Sequence, residues 1–182
     1  MWSMLERNRN PKTDIMDEHD YFERARLQLD LVLSFFPRVD GKASVVLAVD
    51  TGMLGFLAAR VVSFSTLLWW QVVVIAITIA LLGSSLWFIY KEAFPNLKGG
   101  SGSLVYFREI ANRTEAAFID DFLQRSRAAQ TKDILGQVWR NSEILRAKFD
   151  YLRVAFILLA VAILPWVASL LVLPAQESAG IH

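Results

Sequence analysis

The sequence contains no cysteine and only two histidines, His19 and His182. The first absence excludes a disulfide framework and thiolate metal sites, and the second leaves almost nothing for a histidine metal centre. The formal net charge is +1, too small to suggest nucleic-acid binding by bulk electrostatics. Charged residues make up 20% of the 182, against about 25% in a soluble domain. Apolar residues take their place: 54% of the chain is hydrophobic, 12% is aromatic, and the mean hydropathy is +0.37. Six Trp and twelve Phe argue against intrinsic disorder. The excess is the kind a membrane protein carries, so its distribution decides the fold class.

Three stretches hold it. The first, residues 43–64, is interrupted by Asp50 and Arg60. The second, residues 67–90, carries no charged side chain. At ~1.5 Å per residue it makes roughly 36 Å of helix, enough to cross a hydrocarbon core of about 30 Å. The third, residues 154–173, is uncharged and contains Pro165, which membrane helices tolerate better than soluble ones. Trp69 and Trp70 at one end of the second stretch, with Trp87 and Tyr90 at the other, suit interfacial belts. Asp50 is the dissonant residue. A carboxylate near a span centre costs about 2.5–3.5 kcal/mol and so faces protein or water. Arg60 can snorkel to the far interface. The pattern predicts an all-α polytopic membrane protein with three spans, or two if residues 43–64 form a buried amphipathic helix.

Basic residues favour three. Residues 1–42 carry seven, residues 91–153 carry eleven, the hairpin between the first two spans has only Arg60, and the tail 174–182 has none. Three spans put eighteen of nineteen on one side, which the positive-inside rule makes cytoplasmic. Segments 1–42 and 91–153 are then cytoplasmic and the tail periplasmic. The first apolar run begins at Ala43, too far along for a cleaved signal peptide.

In the first cytoplasmic segment, Pro11 and Thr13 open a helix whose early Asp14, Asp17 and Glu18 suit its dipole, and Pro37 should kink or end it. Glu18-His19-Asp20 reads as a solvated acidic helix start. In the second, Phe94-Pro95 closes the second span and residues 99–103 form a glycine-rich connector. No strand precedes that connector and no Gly-Lys-Ser/Thr follows, so it is not a phosphate-binding P-loop. Thr114 can cap a helix with Phe118, Ile119, Phe122 and Leu123 on one face. From Thr131 the near-helical spacing of Ile134, Leu135, Val138, Leu145, Phe149 and Leu152 predicts one long helix running into the third span.

No Ser/His/Asp set, cysteine nucleophile or metal-ligand cluster is present, so the residues give no case for an enzyme, a metal or a cofactor. Ala48 with Gly52, Gly55 with Ala59, and Ala76 with Ala80 are spaced for close helix contact within or between chains, and fit a homo-oligomer with Asp50 facing its interior. Asp50 is equally open to a packing role. Segment 91–153 has a net charge of +3, which suits lipid headgroups or a small anion such as a nucleotide phosphate.

Specific strings go further. Asp40-Gly41-Lys42-Ala43-Ser44 opening an apolar helix, followed by Asp50-Thr51-Gly52, resembles the span entry of the membrane effectors of the Pycsar antiphage system. Leu104-Val105-Tyr106-Phe107 with Ile110-Ala111 is similar to a second segment of that family. Gln137, Ser142, Lys148 and Leu152-Arg153 fall where the family has Gln, Ser and Lys before its last span. Gly41 departs from the Thr, Ala or Ser usual there. The resemblance implies an effector in the bacterial inner membrane that senses cyclic CMP or cyclic UMP made by a partner cyclase and impairs the membrane in abortive infection. Location and chemistry make Tyr106, Arg108, Gln137 and Arg140 the candidate nucleotide contacts, with a base stacked on Tyr106 and an arginine on the cyclic phosphate. Asp40, Lys42 and Asp50 are the candidate gating residues. A membrane-anchored scaffold that opens nothing, and a constitutive small channel, are the alternatives.

Overall fold

The computed structural model describes residues 11–60, 67–94 and 100–172, with side chains from Glu18 onward. Among these, every regular element is a helix: α1 (Pro11–Leu33), α2 (Phe36–Arg60), α3 (Trp69–Ala93), α4 (Phe107–Ala111), α5 (Glu115–Gln124) and α6 (Arg127–Val172). Three helical stretches, Glu18–Arg60, Trp69–Ala93 and Arg127–Val172, are long and apolar enough to cross a membrane. Several expected features lie outside the described residues: the last part of the first span beyond Arg60, Pro95, Gly99, Leu173 and the tail 174–182.

Local chemistry explains most boundaries. A turn at Ser34-Phe35 separates α1 from α2, and Pro37 falls in the first turn of α2, where its missing N–H costs no helical bond. Helix α2 therefore begins seven residues before the apolar run at Ala43. Thr114 caps α5 as expected, its Oγ1 accepting from Ala117 N at 3.3 Å. Helix α6 starts earlier than Thr131. Ser126 provides the N-terminal cap, its Oγ accepting from Ala129 N and its carbonyl from Gln130 N, while Thr131 sits in the second turn and donates to the Arg127 carbonyl. The apolar spacing that marks a helix is silent over Ser126–Gln130, so a polar capping residue there carries the true signal. Glu18, His19 and Asp20 are exposed, and Asp20 pairs with Arg24 one turn on.

The chain divides into two compact units, which draw on Met1–Phe36 with Asn96–Leu145, and on Pro37–Pro95 with Arg146–His182. In the first, the buried residues Ala25, Val32, Leu104, Ile134, Ser103 and Gln137 come from α1, the segment before α4, and α6. Arg127 lies over the Phe22 ring at 4.9 Å, joining α6 to α1.

In the second unit, α2, α3 and the part of α6 from Arg146 onward are packed through a heptad seam. Buried positions on α2 are Val39, Ala43, Val46, Asp50, Met53 and Leu57; on α3 they are Ile75, Thr78, Leu82, Ser85, Ile89 and Glu92. On α6 they are Lys148, Leu152, Ala155, Leu159, Ala162 and Ser169. Steps of three and four alternate on α2 and α3, and on α6 up to Ala162, which keeps one stripe of each helix facing the others in a left-handed bundle. Helix α3 runs antiparallel to α6, because Glu92 meets Lys148, Ser85 meets Ala155, and Gln71 meets Val172. Helix α2 runs parallel to α6, with Asp40 at Lys148 and Met53 at Trp166. The polarity is inverted relative to a soluble protein: Asp50, Thr78, Ser85 and Ser169 are fully buried, while Leu164 and Leu171 are about four-fifths exposed. Such an apolar exterior is compatible with lipid, not water.

Candidate functional site

Each unit holds one polar arrangement. In the first, the connector Gly100–Ser103 lies against one face of α6 and, with Arg125, bounds a cleft of about 330 Å³. Its walls include Arg125, Lys132, Asp133 and Arg140. The connector is held by hydrogen bonds that its glycines and serines make possible. Ser103 Oγ accepts from Val105 N and Tyr106 N and from the buried Gln137 Nε2 at 3.1 Å. Asp133 Oδ2 accepts from Leu104 N at 2.7 Å and from Arg125 at 3.2 Å, while Arg125 also donates to the Gly102 carbonyl. Gly102 adopts φ 78°, the left-handed region that favours glycine, and its N–H donates to Glu109. Gly100 lies directly against the Arg140 guanidinium, so a Cβ there would oblige that side chain to move aside. The cleft thus collects three basic side chains and one carboxylate; Arg125 and Asp133 engage each other, which leaves Lys132 and Arg140 as the excess positive charge of its wall. A small anion with some polar surface fits this chemistry.

In the second unit, Lys148 Nζ donates to Glu92 Oε1 at 2.9 Å and to Asp40 Oδ1 at 2.7 Å. Lys148 and Glu92 are both buried, and the Asp40 side chain is half exposed. The cluster ties α2, α3 and α6 together where the apolar stretches of α2 and α6 begin and that of α3 ends. Deeper, Ser85 Oγ lies 2.6 Å from Asp50 Oδ2 and 3.0 Å from the Ala155 carbonyl, and Asp50 Oδ1 is buried with no partner among the described residues. Thr78 and Ser169 form a further rung at 3.3 Å.

Of the four residues expected to hold a nucleotide, Arg140 lines the cleft. Gln137 is buried beneath it and supports the connector through Ser103. Tyr106 reaches Ser103 by its backbone, and its half-buried ring lies edge-on to Phe107. Arg108 is exposed on α4 and is not part of the cleft wall. Of the three gating candidates, Asp40 and Asp50 lie in separate polar clusters, and Lys42 is exposed, 6.0 Å from the Phe149 ring. Asp50 is fully buried within the bundle that its own chain forms, on the heptad seam and hydrogen-bonded to Ser85. The small pairs Ala48–Gly52, Gly55–Ala59 and Ala76–Ala80 are on the outside, and none of the described residues lies within reach of a Cβ at Gly52 or Gly55.

Arg125, Lys132, Asp133 and Ser103 escaped sequence reasoning because the fold, not spacing, collects them. Glu92 and Ser85 had a visible signal: Gln71, Thr78, Ser85 and Glu92 recur every seventh residue along an otherwise apolar helix.

A polytopic helical bundle with a polar seam, accompanied by a second unit that bears a basic cleft, defines a helical membrane protein with a separate polar module. The Pycsar effector protein domain matches residues 24–173, most of the chain, and the protein belongs to that family of antiphage effectors. No curated protein and no solved structure matches it.

Proposed function

We propose that the protein is an inner-membrane effector that takes up cyclic CMP or cyclic UMP from a partner cyclase and then impairs the membrane. The supporting observation is the cleft between Gly100–Ser103 and α6, where Arg125, Lys132 and Arg140 converge in a chain of this family. In this reading Arg140 and Lys132 meet the cyclic phosphate, since charge-assisted hydrogen bonds are the strong ones. Gln137 and Tyr106 act indirectly, by fixing Ser103. Arg108 is not among the residues that line the cleft. Helix α6 contributes residues to both units, so a ligand held at Arg140 touches the same helix that carries Lys148 and Ala155. The outward-facing small residues favour assembly into a homo-oligomer.

Calorimetry with cyclic CMP and cyclic UMP on detergent-solubilised protein, paired with dye release from liposomes, tests this. One nucleotide should bind and trigger release, and Arg140→Ala should weaken binding at least tenfold. Tight vesicles under every condition would support a scaffold, and release without ligand a constitutive channel.

A further inference from the structure

A groove of about 460 Å³ runs along the second unit between α2 and α6. Its floor is the buried pair Val46 and Leu152, and its walls include the exposed Val45, Phe156 and Ile157. Two cations line it as well, Lys42 and Arg153, both exposed. Each immediately precedes an apolar stretch, at Ala43 and at Val154, on helices that run parallel, so both sit at the same membrane interface. Neither forms an ion pair among the described residues: Asp40 is taken by Lys148, and Asp150, three residues before Arg153, is exposed and does not line the groove.

We propose that this groove binds an anionic phospholipid, with the phosphate held between Lys42 and Arg153 and the upper acyl chain laid over Val46 and Leu152. Charge complementarity selects this occupant. A zwitterionic lipid brings its own cation to a place that already holds two. A second copy in two-fold contact would bring Lys42 and Arg153 against themselves, which like-charge repulsion disfavours. A soluble anion leaves the apolar length of the groove uncovered. The volume is within the about 300–1,000 Å³ of ligand pockets. The proposal is independent of nucleotide sensing, since it concerns different residues in a different unit.

Native mass spectrometry of the full chain in detergent, titrated with phosphatidylglycerol and with phosphatidylethanolamine, tests it. The natural sequence should retain phosphatidylglycerol roughly thirtyfold more strongly, the effect expected of two basic contacts near an anionic surface. The double variant Lys42→Gln, Arg153→Gln should lose that preference, and Lys91→Gln should keep it. Val45→Trp, which fills the groove without altering charge, should reduce retention of phosphatidylglycerol. Equal retention of the two lipids, or a preference that survives the double variant, overturns the proposal. So does a dimer that Val45→Trp abolishes, which would assign the groove to a second copy.

Discussion

Lys148 shows how much one side chain can carry in this bundle. It neutralises Glu92, which is buried, and reaches Asp40 at the surface, so its two partners differ sharply in what its loss would mean. Removing one member of a buried ion pair costs about 3–5 kcal/mol, because the other charge is left unpaired, whereas an exposed pair contributes about 0–1 kcal/mol. Lys148→Met should therefore destabilise the protein strongly in detergent unfolding, and Asp40→Asn only slightly. The double change Glu92→Met, Lys148→Met should recover most of the loss, since apolar residues of similar volume often replace a buried pair without penalty. A double variant as unstable as the single one would show that Lys148 acts through packing alone. The sequence displayed Lys148 but not its bond to Glu92, which is fifty-six positions away. Charge cannot be paired from spacing when the partners lie on antiparallel helices.

Among the helices, the ends repay attention as much as the seams. Gln71 accepts from Leu68 N at 2.8 Å at the start of α3 and donates to the Val172 carbonyl at 2.8 Å at the end of α6. One amide side chain thus satisfies a donor and an acceptor of the kind that helix termini leave open. Gln71→Leu should loosen both ends together, costing about 1–2 kcal/mol locally and speeding amide exchange in the first turn of α3 and the last of α6. Exchange that rises at only one end would refute the shared role. The existence of the long helices was legible because their apolar runs exceed what a soluble helix needs. Their starts were less so: α6 opens at Ser126, a polar residue with no periodicity to announce it, and α2 opens at Phe36 in a stretch that carries Arg38, Asp40 and Lys42. The cleft was hardest to see. Its connector was recognisable as glycine-rich, yet only the packed structure brings Gly100 under Arg140 and Ser103 onto Gln137.

For the molecule as a whole, the asymmetry of basic residues implies an orientation that labelling can check directly, since no native thiol interferes. Single cysteines in place of Arg140 and Lys132 should resist a membrane-impermeant maleimide in intact cells and react once the inner membrane is breached. A cysteine at Trp69 should react from outside the inner membrane in both conditions. Reversal of that pattern would place the cleft on the side away from any cytosolic messenger. The bundle itself carries a mechanical corollary. With Gln71, Thr78, Ser85 and Glu92 set seven residues apart, α3 is toothed like a rack, one tooth every ~10.5 Å. A slide of half a tooth would push carboxylate and hydroxyl groups onto Ile75, Leu82 and Ile89, the least hospitable stop along the path. Gradual creep is thereby suppressed, and whatever disengages these helices must lift them apart or carry them through a full click.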